Sequence, residues 1–247
     1  MSMEAMIDLF LGLERMSPGS HETTAKAFHT AAQDHEIQTI VEFGCGSGIS
    51  TLELARQSGA SVVAIDNSSP FLDQLKQKID QAGLGQQVQV REQSMDVAWP
   101  EGTQFDLIWC EGSAYAIGVE NALRQWLPLL SPGGRIALSD LVWIDPNPDE
   151  EVQQYWKDQG EILRYPNDTR ALFTSLGYQM IDDFVFPDRD WQNYYRPLKN
   201  YLPQWKSAYS DPENAGMVDQ MFQEEMRMYD QFGTQYGYAF FIAQRAP

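Results

Sequence analysis

The chain has 247 residues, 43% hydrophobic and 12% aromatic, which suits one α/β domain with insertions and excludes a disordered chain. Its formal net charge of −18 opposes association with nucleic acid or an anionic membrane, and no basic cluster overrides it. Two cysteines, Cys45 and Cys110, are too few for a disulfide scaffold, and no apolar run approaches the ~20 residues of a membrane-spanning helix.

The elements follow in chain order. Residues 2–14 and 20–34 read as helices around the break "MSPGS", with Ser20 as N-cap and Glu22 in the first turn. The first stretch carries Glu4 and Asp8 and lacks a basic leader, so it reads as an amphipathic helix rather than a signal peptide, and the expected location is the cytoplasm. His21, His29 and His35 fall on or near the second helix without a ligand pattern; they read as solvated, and no metal is expected.

From Ile37 the rhythm is strict. "IQTIVEF" is a strand, "ISTLELARQ" a helix, and "SVVAID" a strand. "PFLDQLKQKIDQAGL" is a helix, with Pro70 in its first turn and Gly83 near its end. "QVQVREQ" and "FDLIWCEG" are strands. "VENALRQWLPLL" is a helix, "SPGG" a tight turn, and "GRIALSD" a fifth strand. Strands alternating with helices predict a parallel sheet covered on both faces. Residues 141–166 then break the rhythm with Pro146, Pro148 and Pro166. A helix is expected near 168–176, a strand at "YQMIDDFVF", an aromatic and proline-rich insertion, a Met-rich helix at about 215–231, and a last strand at "YGYAFFIAQ".

Ligands of such sheets bind beyond the carboxyl ends of the strands. Glu42 to Gly48, Asp66, Ser94 to Asp96, Glu111 to Tyr115 and Asp140 stand there. The loop "FGCGSGIS" is glycine-rich. It lacks the Lys and Ser/Thr of a phosphate-binding P-loop, and Ile49 replaces the third glycine of a dinucleotide fingerprint. Glu42, two residues before Gly44, disfavours a pyrophosphate and favours an ammonium or sulfonium. The following helix start favours an anion. The methionine half of S-adenosylmethionine (SAM) carries both charges. The alternative is that Glu42 faces water or a backbone amide. Asp66, 20 residues after Gly46, suits ribose hydroxyls, and Asp96 suits an adenine amino group or a turn.

"VEFGCGSG", "VVAID", "SMD" and "FDLIWCEGSAY" together resemble the successive motifs of class I SAM-dependent methyltransferases, over roughly residues 37–140. Pro18–Gly19–Ser20, Glu111–Gly112 with Tyr115, Trp191 with Tyr195 and Pro197, and Tyr236–Gly237–Tyr238 resemble a narrower group of small bacterial methyltransferases. That group is related to the ubiquinone and menaquinone biosynthesis type. Several of its members carry a His near the position of Tyr194 that this chain lacks. The resemblance implies a Rossmann-like, seven-stranded, mostly parallel sheet with an antiparallel last strand. It implies one domain over 1–247: an N-terminal helical cap (1–35), a SAM-binding core (36–140) and a C-terminal part (141–247) whose insertion 187–232 is a substrate lid.

The resemblance further implies transfer of a methyl group from SAM to a small-molecule acceptor, leaving S-adenosylhomocysteine. The expected cofactor contacts are Glu42, Phe43, Gly44, Cys45, Gly46, Asp66, Asn67, Ser94, Met95, Asp96 and Glu111, with Gly48 in packing. Glu111 and Tyr115 are the expected catalytic groups, and Tyr115, Trp191 and Tyr195 the expected acceptor contacts. Asp140 and His21 rank below them. The other insertion aromatics are read as packing. No "[DN]PP[YF]" follows the fourth strand, no cysteine trio suggests an arsenic acceptor, and no acid–Asn set suggests a metal-assisted catechol site. The competing readings are a nicotinamide-dependent oxidoreductase, which Ile49 and Glu42 oppose, and a non-catalytic SAM-binding protein. The residues leave open the acceptor, the atom methylated and the oligomeric state.

Overall fold

The computed structural model describes residues 2–246; Met1 and Pro247, the ends of the expected domain, lie outside the described residues. Seven strands form one sheet: β1 (Thr39–Phe43), β2 (Ser61–Asp66), β3 (Val88–Glu92), β4 (Phe105–Glu111), β5 (Leu130–Trp143), β6 (Tyr178–Val185) and β7 (Tyr236–Arg245). Their order is β3-β2-β1-β4-β5-β7-β6. Strands β1 to β5 pair in parallel, while β7 runs antiparallel to both β5 and β6. This is the expected Rossmann-like sheet. Strand order reverses between β1 and β4, so a crevice opens beyond Phe43 and Glu111.

Apolar residues on both faces of the central strands call for helices on both. On one face α2 (His21–Ala32), α3 (Ile49–Ser58) and α4 (Ser69–Ala82) bury Phe28, Leu54 and Leu75 against Ile40, Leu107 and Trp109. On the other, α5 (Val119–Trp126) and α7 (Pro166–Ser175) bury Leu123, Trp126 and Phe173 against Val41, Ile108 and Phe241. Ser20 caps α2 by accepting the Thr23 amide at 3.1 Å, and Gly83 ends α4, as the sequence predicts.

A third layer joins the two ends of the chain. Helices α1 (Met3–Leu11), α6 (Glu150–Asp158), α8 (Asp188–Ala208) and α9 (Pro212–Phe232) share one apolar cluster with Tyr236. Trp205 donates to Asp8 at 2.7 Å, the Ser2 amide donates to Asn214 at 2.8 Å, and Phe10 meets Phe222 edge-on. The expected cap over 1–35 is therefore divided: α1 belongs to this layer and α2 to the sheet.

Two elements differ from expectation. The insertion is mostly one 21-residue helix, α8, which runs through Pro197 and Pro203. An interior proline costs about 3 kcal/mol. Burial of Trp191, Tyr194, Tyr195, Leu198, Leu202 and Trp205 on one helical face offsets it. The "SPGG" turn is a bulge inside β5: Leu130 pairs with Phe105, and pairing resumes at Arg135 with Leu107.

Candidate active site

The loop Gly44–Gly48 leaves β1 for α3. Gly44 and Gly46 hold φ of 71° and 49°, the left-handed region that disfavours other residues. Each also lies where a side chain has no room. A Cβ on Gly44 would sit 2.1 Å from Ser113 Oγ, and one on Gly46 would sit 2.2 Å from Met16 Cε. Gly48 packs on Leu75 of the helix α4, where packing of helix on sheet was expected.

The loop amides are already used. Gly44 and Cys45 both donate to the Ile65 carbonyl (2.8 and 2.9 Å), Gly46 to Asp66 Oδ2 (2.9 Å) and Gly48 to the Cys45 carbonyl (2.9 Å). The Phe43 carbonyl accepts from Ser113 Oγ at 3.0 Å, and its ring stacks on Trp126. A phosphate cradle needs free amides; this loop has four of its amides committed to the protein.

Glu42 corrects one expectation. Its side chain is 1% exposed, and its two oxygens accept from the Ser50 and Thr51 hydroxyls in the first turn of α3. It anchors the loop to the helix through both oxygens. Burial pushes its carboxyl up to about 7; the two hydroxyls oppose this, and Glu111 and Asp66 add to it.

Asp66 is half-buried at the end of β2. Oδ2 holds the Gly46 amide and Oδ1 the Ser68 amide, each at 2.9 Å. A carboxylate offers about four lone-pair sites, so about half remain open. Asn67 and Asp96 are exposed beside it. Ser94 donates to Asp96 at 2.5 Å, the Met95 carbonyl holds the Trp126 indole at 3.2 Å, and the Met95 methyl approaches Gly44. The residues expected at β2 and β3 therefore do gather at one edge.

Glu111 ends β4. Its oxygens accept from Thr24 Oγ1 at 3.1 Å and from the Trp109 indole at 3.3 Å. Burial pushes its carboxyl up to about 7, with the Arg15 charge the first influence opposing it. Arg15 was missed at the sequence level. Its Nη1 and Glu111 Oε1 stand 3.0 and 3.2 Å from the point where Gly19 lacks a Cβ. Its Nη2 is buried without a hydrogen-bond partner. Residues 15–19 thus lie across the glycine loop, with Met16 on Gly46 and Ser17 on Gly112. The available signal was a lone Arg just before the Pro-Gly break.

Tyr115 sits on a 3-10 turn (Ala114–Ala116) and is 55% exposed. It stands at the mouth of a cleft of about 440 Å³ that is also lined by Asp140, Glu161, Arg164 and the start of α5. Trp191 and Tyr195, the expected acceptor contacts, are not among the residues that line it. Both are buried inside the third layer. Trp191 stacks on Tyr229 at 4.7 Å and meets Tyr236 and Tyr238, and the Tyr195 hydroxyl donates to Glu225 at 3.0 Å. Packing claimed these rings because α8 buries four of its five aromatic side chains. His21 is at the surface, bonded to Glu53. Cys45 and Cys110 are free, buried thiols. Among the described residues no helix is long and apolar enough to cross a membrane.

Comparison with known proteins agrees with this fold. Residues 40–134 match a family described as a methyltransferase domain. The chain is 24% identical over 222 residues to the methyltransferase phqN of Penicillium fellutanum, covering 83% of this chain and 64% of that protein. It is 25% identical over 185 residues to the uncharacterized protein YjhP of Escherichia coli (strain K12), covering 72% of this chain and 73% of that one. A SAM-dependent methyltransferase of Geobacter sulfurreducens, solved with S-adenosylhomocysteine, superposes with a TM-score of 0.84 over 98% of both chains at 20% identity.

Proposed function

We propose that this chain, which carries a methyltransferase domain of the class I SAM-dependent fold over residues 40–134, moves a methyl group from SAM to a small-molecule acceptor. One observation carries the reading. The loop amides that a phosphate would need are committed, while Asp66, Glu111 and Arg15 stand beside that loop with capacity left. Such a seat suits a ligand with hydroxyls at one end and charges of both signs at the other.

The residues fit SAM in detail. The open lone pairs of Asp66 suit the ribose hydroxyls. Asn67, Ser94, Met95 and Asp96 suit the adenine side. Phe43, Gly44, Cys45 and Gly46 form the close-approaching backbone beneath the methionine part. The buried, unpartnered Nη2 of Arg15 suits its carboxylate, and Glu111 its ammonium.

When bound, SAM supplies a methyl group already activated on a sulfonium. The chain's own task is alignment and the exclusion of water. Residues 15–19 cover the loop, and α1, α6, α8 and α9 stand over the strand ends. Burial holds both Glu111 and Asp140 near 7, so either takes or gives a proton at neutral pH. Glu111 is already bonded to Thr24 and Trp109, whereas Asp140 lines the cleft. Asp140 therefore ranks ahead of Glu111 as proton acceptor, and Tyr115 is a wall of the cleft. The kinship with the ubiquinone and menaquinone type rests on the Pro18–Gly19–Ser20 and Tyr236–Gly237–Tyr238 motifs, and the proposed setting is the cytoplasm.

Calorimetry with SAM, S-adenosylhomocysteine and NAD tests the donor. Both adenosyl ligands should bind, NAD should not, and Asp66→Ala should weaken them about tenfold or more, the loss of ~1.4 kcal/mol. NAD binding in place of SAM overturns the reading. Labelled SAM with a metabolite panel tests turnover; binding without any transfer would leave a non-catalytic SAM-binding protein.

A further inference from the structure

We propose that the cleft beyond β4 and β5 takes a small zwitterion, with its amino group against Asp140 and its carboxylate or phosphate against Arg164; this rests on the methyl-transfer reading above. The cleft holds about 440 Å³, the scale of a small metabolite. Its floor carries Asp140, which is only 7% exposed. Among the described residues no side-chain donor reaches that carboxylate, and the Leu141 amide is the backbone group beside it. A carboxylate so buried, with one backbone amide as its hydrogen-bond donor, is costly, and a bound cation lowers the cost.

The lining is not simply acidic. Glu120 and Arg124 pair with each other at 2.7 Å, which leaves Asp140, Glu161 and Arg164 as the other charged side chains of the lining. The backbone of Arg164 is fixed: its carbonyl accepts the Trp143 amide at 3.0 Å, and it bridges to Val142. Its guanidinium has no hydrogen bond or ion pair among the described residues, although its charge reaches Asp140. One wall is the start of α5, where the cap is Gly118 and no side chain satisfies the first amides. An amine alone would leave Arg164 unpaired, and an acid alone would face Asp140 and Glu161. A ligand carrying both groups satisfies both ends. Ser139, the neighbour of Asp140, pairs with Glu111, so the amino end lies on the side of the donor loop.

The test is calorimetry on the full chain saturated with S-adenosylhomocysteine. The probes are β-alanine, O-phosphoethanolamine, propylamine, propionate and inorganic phosphate. One of the two zwitterions should bind at least about tenfold tighter than propylamine, propionate or phosphate, and which one it is separates a carboxylate from a phosphate. Asp140→Asn and Arg164→Gln should each weaken that zwitterion about tenfold or more and leave S-adenosylhomocysteine within about twofold. The inference is overturned if no zwitterion binds, if a singly charged probe binds as well, or if both variants keep full affinity. Failure of S-adenosylhomocysteine to bind the unaltered chain overturns the donor reading and this one with it. Donor binding with no zwitterion binding overturns this one alone.

Discussion

Replacing Arg15 by alanine isolates one end of the proposed donor. Arg15 Nη2 is buried and unpartnered, and the Glu111 carboxyl that its charge supports is pushed up to about 7 and can take up a proton in its place, so the variant should melt close to the parent. With the donor bound, the lost interaction is a hydrogen bond to a charged group, about 1.5–3 kcal/mol. That corresponds to a rise in Kd of about 10- to 150-fold. The assay is calorimetry with two ligands. S-adenosylhomocysteine has the α-carboxylate; 5′-methylthioadenosine has the same adenosine and lacks it. The first should weaken by that factor and the second by less than about threefold, with Arg15→Lys in between. Equal weakening of both ligands would mean that Arg15 acts through the shape of the 15–19 segment. Unchanged affinity for the first would remove Arg15 from the site.

Two further outcomes follow from burial. Trp191→Ala should cost about 3–5 kcal/mol and lower the melting temperature by roughly 6–20 °C, because the ring packs on Tyr195, Tyr229, Tyr236 and Tyr238. Trp191→Phe should keep the parent KM for the acceptor, and a large KM rise at near-parent stability would return Trp191 to the site. Stability should also fall as pH rises from about 5 to 8. Burial pushes Glu42, Glu111, Asp140 and Glu225 each up to about 7, against about 4 when unfolded. Between these values the folded state holds more protons than the unfolded one. The stabilising contribution is complete below about 4 and is lost as pH passes 7, with a slope of about 1.4 kcal/mol per pH unit for each excess proton. A melting temperature that climbs between pH 5.5 and 8 would refute this.

The core of the fold was legible because its signals were local. "IQTIVEF" and "SVVAID" alternate with amphipathic helices, and Asp66, Ser94 and Glu111 follow strand ends wherever such a sheet forms. The polar edge proposed here as the donor seat gathers residues that were legible for the same reason. Four features were not. Helix α8 was hidden by Pro197 and Pro203, although the spacing of Trp191, Tyr195, Leu198, Leu202 and Trp205 already traces one helical face. Glu42 looked like a ligand group because the loop alone does not reveal that Ser50 and Thr51 reach back to it. Arg15 and Arg164 are placed by contacts between distant segments, which no local pattern records.

The position of β7 has a consequence for synthesis of the chain. The final strand is not at the sheet's edge but between β5 and β6, and it is the sheet partner of β6. Once Trp143 has been made, β5 can pair with β4 on one side, but its other side waits for Tyr236–Arg245. The intervening 92 residues, 144–235, take roughly 5–20 s at ordinary translation rates. Through that interval the growing chain presents a long, apolar, unpaired strand edge to its surroundings. Loss of Tyr236–Arg245 would make that exposure permanent. The yield of folded product is therefore expected to depend on how fast the ribosome reaches Arg245 and on what shields β5 until it does.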